Sequence, residues 1–142
     1  MTIPVAQTGA QGTTLGTGLQ ITDLNKVFTS GRKSVAALQD ANLHKARFDR
    51  ANFQATKLTG QDFSQCSFVE ANLRKAHLQD TTLAQVDFTQ ADLRETKLMG
   101  ADFYKVNLTD ADLRAADLRH TVSISRSVLK SALTNDKTLF HE

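Results

Sequence analysis

Few side chains in this sequence have the types and spacing that enzyme chemistry needs. The four histidines (His44, His77, His120 and His141) lie far apart along the chain, and the single cysteine, Cys66, can form no internal disulfide. No Gly-rich loop that could hold a phosphate opens a helix pattern. Ser, His and acidic residues form no catalytic arrangement. The sequence therefore predicts no catalytic residue, no cofactor and no metal site, and we expect a protein that is not an enzyme.

The most ordered charged residues are basic and recur at a step of twenty residues. Two sets share this spacing: Arg74, Arg94 and Arg114, and Lys57, His77 and Lys97. If twenty residues make one coil of a stacked structure, each set forms a column with about 4.8 Å per step, and Lys75 bridges the two columns. We call these seven residues the basic edge. It is either a docking stripe for an acidic partner or a solvated face that nearby carboxylates partly neutralise, which is the commoner outcome.

The element that must position these columns is a repeat with a period of five. Every fifth residue from Leu38 to Leu118 is Leu or Phe, which gives seventeen centres without exception. Two positions before each centre stands a small or modest residue, usually Ala, and Asn or Asp often stands directly before it. Cys66 occupies one of these small-residue positions, so we interpret it as a core residue rather than a nucleophile.

A period of five fits neither an α-helix nor a straight strand. A helix advances about 100° per residue and would spread the centres around its circumference. In a straight strand, residues an odd number apart face opposite sides. The backbone must therefore turn the same way after each pentapeptide, which keeps every centre inside a solenoid. Stacking at twenty residues aligns an all-Leu column from Leu38 to Leu118 and also Phe48, Phe68 and Phe88, but a fifteen-residue step pairs Phe positions too. The residues alone therefore leave a triangular section open.

With units such as Ala-Asn-Leu-Arg-Lys at 71–75 and Ala-Asp-Leu-Arg-Glu at 91–95, residues 36–120 resemble the pentapeptide repeat proteins. The resemblance implies an all-β fold, a right-handed quadrilateral β-helix with four pentapeptides to a coil and about four coils. The centre and the residue two before it would face inward. The family is abundant in cyanobacteria, and some of its members protect DNA gyrase from quinolones by imitating DNA.

The two ends of the chain lack the repeat. We predict a flexible tail over 1–18 and an N-terminal cap over 19–35, with a short helix that begins near Thr22 or Asp23. Residues 121–142 are predicted to form a C-terminal cap or an imperfect last coil, in which Val128 and Leu133 return to the register of the centres. Five apolar residues there would cover the core or form a homodimer contact: Val122, Ile124, Leu129, Leu139 and Phe140.

Composition limits the partners. The chain has 142 residues and a net charge of +2, and it contains no apolar run of 18 residues, so we expect no membrane span. No secretory signal is visible, which favours the cytoplasm. The repeat region holds 11 basic and 12 acidic residues, and Tyr104 is its only outward aromatic residue, which argues against nucleic acid.

These observations favour a non-catalytic protein–protein interaction module, a scaffold, assembly factor or regulator that presents a rigid stacked surface to an unidentified protein partner and takes no small-molecule substrate. The alternative, taken from the resemblance, is a DNA-mimicking gyrase-binding protein of the quinolone-resistance type. The nearly neutral repeat region departs from the acidic surface that such mimicry needs.

Overall fold

A computed structural model describes residues 43–140 of the chain. Over these residues the backbone returns on itself in parallel after every twenty residues, as in the pairs Arg47↔Ser67, Asn52↔Asn72, Lys57↔His77 and Asp62↔Thr82. Four consecutive pentapeptides thus supply four sides of one coil. This twenty-residue step selects the square section and removes the triangular one that the sequence left open.

Regular secondary structure is brief because each side of the coil is only a few residues long. Strand β1 covers Asp117–Leu118, helix α1 covers Arg126–Lys130 and strand β2 covers Leu139–Phe140. Strand β2 pairs in parallel with β1, with Leu139 opposite Asp117 and Phe140 opposite Leu118. Elsewhere, single bridging residues join one coil to the next.

The predicted centres fill the interior. All sixteen from Leu43 to Leu118 are at most 3% exposed, and the residues two positions before those from Phe48 onward are buried as well, apart from Gln61. Where threonine takes the small position its hydroxyl is satisfied locally, as when Thr96 Oγ1 donates to Leu93 O at 2.6 Å. The inward orientation that the repeat predicted is therefore confirmed for the described coils.

Phenylalanines form one continuous cluster in the lower coils. Phe68 stacks on Phe48 at 4.9 Å and on Phe88 at 5.4 Å between ring centroids, which confirms the predicted Phe column. Phe63 meets Phe68 edge to face at 5.2 Å, and Phe53 lies at 5.6 Å. Offset and edge-to-face rings of this kind add to the free energy of burial.

The Asn and Asp residues directly before the centres hold the turns. Nine of them accept a hydrogen bond from the backbone N–H two residues later, at 2.9–3.2 Å between N and Oδ1. Asn and Asp favour this geometry because their short side chains reach a backbone N–H two residues on. These Asn and Asp side chains thus stabilise the turns of the coil.

Each corner of the coil adopts a left-handed backbone conformation. Fourteen corners carry residues other than glycine at φ of 55–62°, and the remaining two are Gly60 and Gly100 at 75° and 74°. The corner N–H donates to the coil above, as from Lys75 N to Arg94 O at 2.9 Å. Such bonds offset a cost of about 1–2 kcal/mol for each non-glycine residue.

The regular corners continue to His120, and the last rung beyond it differs from the prediction. Ile124, Val128 and Leu129 pack partly buried against the core. Val122 is 51% exposed, because its bridge to Asp102 places it in an outward position. Ser123, at φ 62°, takes the next centre position.

One further expectation for this rung was wrong. Leu133 does not return to a centre position: it pairs with Asp112, twenty-one residues earlier, and is 55% exposed, because the segment containing α1 uses one residue more than a pentapeptide. Leu139 and Phe140 are exposed and do not cover the core, so the alternative for them, a homodimer contact, stays a prediction. Leu139 pairs with the outward Asp117, and Phe140 lies in the last rung that the structure describes.

The predicted tail over 1–18, the N-terminal cap over 19–35 and the first centre, Leu38, lie outside the described residues. The predicted total of about four coils depends on that region and stays a prediction. Within 43–140, no helix has the length and apolar character to cross a membrane.

Candidate protein-interaction surface

The coil places the seven residues of the basic edge around one corner. Parallel pairing of Asn72 with Asp92 and of Asp92 with Asp112 aligns Arg74, Arg94 and Arg114, which follow the adjoining centres. We call these three the arginine ladder. The chain then turns at the corner that holds Lys75. On the next side, Lys57 pairs with His77 and His77 with Lys97, and we call these three the Lys–His column. The structure brings together all the residues that the sequence placed there.

Every guanidinium of the arginine ladder is occupied by a carboxylate of the same protein. Arg94 binds Asp92 through Nε to Oδ1 at 2.8 Å and Nη2 to Oδ2 at 2.6 Å, and Arg114 binds Asp112 in the same way at 2.9 and 2.6 Å. Arg74 donates to Glu95 Oε1 from Nε at 2.9 Å and from Nη2 at 2.7 Å. The partial neutralisation expected from the sequence is thus concentrated on the arginines.

The same ion pairs shift the acidity of their members. Hydrogen bonding from Arg94 is the main cause that lowers the pKa of Asp92, and Arg114 does the same for Asp112. Hydrogen bonding from Arg74 lowers the pKa of Glu95. These carboxylates therefore stay charged throughout the neutral range and remain bound to their arginines.

The Lys–His column has no such carboxylates. Among the ion pairs of residues 43–140, none involves Lys57, His77 or Lys97. Burial is the main cause that lowers the pKa of the half-exposed His77, and the positive charges of Lys97 and Lys57 lower it further. Lys75, at the corner, has one loose contact, 3.9 Å from Nζ to Glu95 Oε2. Two of the three members of this column are thus cations with no acidic partner.

The sequence analysis did not distinguish the two halves of the basic edge. The signal was present in the spacing Asp-Leu-Arg at 92–94 and 112–114, which places an acid two residues before its arginine on one face of a short strand. The same spacing at 117–119 yields a further pair, Arg119 Nη2 to Asp117 Oδ2 at 2.7 Å. Lys57 has no acid two residues before it, and Glu95, two residues before Lys97, lies at a corner and binds Arg74 instead.

The other candidate groups lie apart from this edge. Cys66 is buried, its Sγ donates to Leu43 O at 2.9 Å, and burial raises its pKa to about 12, so its thiol remains protonated at neutral pH. Within the described part of the chain, no three residues among His, Cys, Asp and Glu are grouped so that they could hold a metal ion.

The repeat of this chain matches the models of known protein families. A family model described as pentapeptide repeat region matches residues 57–132, and a second, described as pentapeptide repeats (8 copies), matches residues 36–65. The chain belongs to the pentapeptide repeat family. Solved structures of this family form right-handed quadrilateral β-helices, in agreement with the twenty-residue coil of this pentapeptide repeat protein.

Several solved structures are similar to this pentapeptide repeat protein. A pentapeptide repeat protein from the thylakoid lumen of Arabidopsis thaliana is 28% identical with a TM-score of 0.56, and the match covers 66% of this chain and 59% of that one. A pentapeptide repeat protein from Nostoc PCC 7120 is 26% identical, with a TM-score of 0.43 and coverage of 82% and 96%. The plasmid-mediated fluoroquinolone resistance protein QnrB1 is 12% identical, with a TM-score of 0.45 and coverage of 65% and 59%.

The match thus spans about three fifths of the Arabidopsis protein and of QnrB1. A search of curated protein sequences gave no match.

Proposed function

We propose that this pentapeptide repeat protein is a non-catalytic interaction module, a scaffold, assembly factor or regulator, that binds an acidic protein partner through its basic edge. The observation that carries the proposal is the side of the coil where Lys57 and Lys97 lie one coil below and above His77, with no carboxylate of the described chain within ion-pair distance. Uncompensated cations on one face favour a partner of opposite charge.

Rigidity supports the same function. The centres inside the coil are buried, and backbone bonds join each coil to the next, for example Leu58 N to His77 O at 2.8 Å and Leu78 N to Lys97 O at 2.7 Å. The backbone beneath the basic edge is therefore fixed before a partner arrives. A preorganised surface loses less conformational entropy on binding, so more of the contact energy contributes to affinity.

The test is a comparison of two variants with the same change in net charge. The edge variant replaces Lys57, Lys75 and Lys97 with Gln. The control variant replaces three basic residues at other corners, Lys45, Arg50 and Lys105, with Gln. Tagged proteins are incubated with extract of the source cells, and the proteins recovered are quantified by mass spectrometry.

We expect a partner that is recovered by the native protein and the control variant and is lost with the edge variant. Its recovery should decrease as salt is raised, because salt screens exposed charges beyond about 10 Å at 0.1 M. Equal recovery by the edge and control variants would contradict the assignment of the basic edge.

A gyrase supercoiling assay separates this proposal from DNA mimicry. The described repeat, residues 43–120, carries 11 basic and 11 acidic residues, so its charge is balanced. A DNA mimic needs a strongly acidic surface to occupy a DNA-binding groove. We expect supercoiling by gyrase to be unchanged by this protein, and inhibition at modest concentration would favour the mimic instead.

A further inference from the structure

The two halves of the basic edge differ in what their positions contribute to the fold. The position directly before a centre usually holds Asn or Asp, whose side chain accepts the N–H two residues later; on the ladder side these residues include Asn72, Asp92 and Asp112. On the next side, three coils in succession place Lys57, His77 and Lys97 there instead. Lysine has no acceptor atom, so Lys57 and Lys97 cannot supply the stabilising turn bond that Asn or Asp would make at these positions.

We propose that the Lys–His column, rather than the arginine ladder, is the part of the basic edge that contacts the partner, and that the contacting segment is an α-helix with one acidic face. This inference rests on the proposed function and specifies its partner. The arginines are less available, because each would have to leave a carboxylate that already binds it at 2.6–2.9 Å. Exchanging one ion pair for another gains little.

The spacing of the column favours a helix over an extended chain. Successive coils are about 4.8 Å apart, so three coils present their side chains over about 9.6 Å. Carboxylates on one face of a helix recur about every 5.4 Å, which differs from the column by about 1.2 Å over two steps. Carboxylates on one face of a strand recur about every 6.8 Å, which differs by about 4 Å over two steps. Lysine side chains can absorb the first difference more easily than the second.

The side of the coil that carries the column has room for a helix. The outward residues beyond the centres are Thr59, Gln79 and Met99, which bear no charge. Its far corner carries Gly60, where an added Cβ would meet nothing within 4 Å, and in the next coils Asp80 and Gly100, with the Asp80 carboxylate lying against Gly100. An approaching helix would thus meet cations on one flank, an uncharged strip beside them and one exposed carboxylate, Asp80, at the far corner.

His77 links this contact to pH. Lys57 and Lys97 face it from the coils below and above, Lys75 precedes it at the corner, and Glu95 lies at the corner of the coil above. Burial and the two lysines lower the pKa of His77, so the imidazole is neutral in the free protein at neutral pH. An acidic helix would favour its charged form. Binding should therefore take up a proton, and affinity should rise as the pH falls.

The experiment uses two synthetic Ala-rich helical peptides of identical composition. In the striped peptide, Glu residues recur at steps of three and four on one face; in the scrambled peptide they surround the helix. Dissociation constants are measured by fluorescence anisotropy at low salt. We expect the striped peptide to bind about tenfold more tightly, and Lys57→Gln/Lys97→Gln to weaken it about tenfold, since two exposed ion pairs together contribute on this order. Arg74→Gln/Arg114→Gln, with the same change in charge, should weaken it less than about twofold.

His77→Gln provides a readout that a purely structural role would not change. The native protein should bind the striped peptide at least about threefold more tightly at pH 5.5 than at pH 7.5, and the variant should lose this dependence. A dependence on pH that persists in His77→Gln would overturn the role of the histidine.

The remaining outcomes separate this inference from the proposed function. Equal losses in the two double variants would overturn the choice of the column and leave the basic edge as the docking surface. Equal affinity for both peptides would overturn the requirement for one acidic face on the helix. If duplex RNA binds more tightly than the striped peptide, the acidic helix is overturned as the occupant. If neither peptide binds but the edge variant still loses the partner recovered from the extract, the acidic helix is wrong and the proposed interaction module still stands.

Discussion

Asp92 and Arg94 hold each other across the buried Leu93 by two hydrogen bonds, Nε to Oδ1 at 2.8 Å and Nη2 to Oδ2 at 2.6 Å. The same Oδ1 also accepts the backbone N–H of Arg94 at 3.1 Å. One carboxylate therefore serves both the turn and the ion pair. Substitutions that keep or remove one of these roles can separate them.

The first prediction concerns this double role. Asp92→Asn keeps the acceptor oxygen, as Asn72 does one coil below, and should cost less than about 0.5 kcal/mol of unfolding free energy, because an exposed ion pair contributes little. Asp92→Ala removes the turn bond as well and should cost about 1 kcal/mol more. Urea denaturation measures both. Equal costs for Asn and Ala would show that the turn bond is unimportant.

The second prediction concerns acid. Hydrogen bonds from Arg94, Arg114 and Arg119 lower the pKa values of Asp92, Asp112 and Asp117 below their ordinary value of 3.8. Because these pKa values are lower in the folded state, the stabilisation is complete above 3.8 and is lost as the pH falls through the folded pKa values.

The melting temperature should therefore be nearly constant between about pH 7 and pH 5 and should fall below about pH 4. The triple variant Asp92→Asn/Asp112→Asn/Asp117→Asn is the control and should fall less steeply. Circular dichroism followed against temperature gives the comparison, and parallel curves for the two proteins would rule out these carboxylates as the cause.

The third prediction uses the two glycine corners as a matched pair. An alanine at either position must adopt positive φ, at a cost of about 1–2 kcal/mol, part of which is recovered because the unfolded chain loses entropy. At Gly60 an added Cβ has open space, whereas at Gly100 it would collide with Asp80 Oδ1. Gly100→Ala should therefore destabilise more than Gly60→Ala.

If the collision with Asp80 causes the extra cost of Gly100→Ala, removal of the Asp80 side chain should abolish that extra cost. In the background Asp80→Ala, the cost of Gly100→Ala should fall to that of Gly60→Ala, as measured by denaturation of the four proteins in the cycle. An unchanged difference would mean that the Asp80 side chain turns aside at no cost, and that the contact is irrelevant to stability.

The sequence predicted the repeat well because its signals are local and recur in every unit. The centres and the small inward residues each follow from a narrow set of residue types at one spacing. The left-handed corners escaped prediction, since Lys75, Gln85 and Glu95 carry no preference for positive φ. Stacking between coils imposes that conformation, and stacking is not visible in five residues. The exposed Leu133 escaped for a similar reason, because the one-residue excess around α1 is a tertiary feature.

The sequence also placed the basic edge correctly in its columns, but not the division within it. Column membership depends only on the twenty-residue step. Whether Arg94 meets Asp92 or solvent depends on the side-chain conformation, and the ion pairs of the arginine ladder emerge only with the structure. The availability of Lys57 and Lys97 is likewise a property of their surroundings.

The fourth prediction tests the continuity of the core. Phe88 is fully buried and stacks on Phe68 at 5.4 Å between centroids. Phe88→Ala should cost about 3–5 kcal/mol through the lost burial and the cavity, and Phe88→Asp should prevent cooperative folding because a charge would be left unpaired inside the coil. Tyr104 is exposed, so Tyr104→Ala is the control and should change the free energy of unfolding by no more than about 0.5 kcal/mol. An unchanged melting curve for Phe88→Asp would contradict the inward assignment.

The fifth prediction concerns the Cys66 thiol. Burial raises its pKa from 9.0 to about 12, so the thiolate, which is the reactive form, is almost absent from the folded protein at neutral pH. Iodoacetamide should leave the native protein unmodified by mass spectrometry and should alkylate it fully in denaturant. Because the pKa is raised in the folded state, the thiol contributes stability below pH 9.0 that is lost as the pH rises toward about 12. Cys66→Ala should remove that part of the alkaline loss, and rapid alkylation of the native protein would show instead that the coil opens at this position.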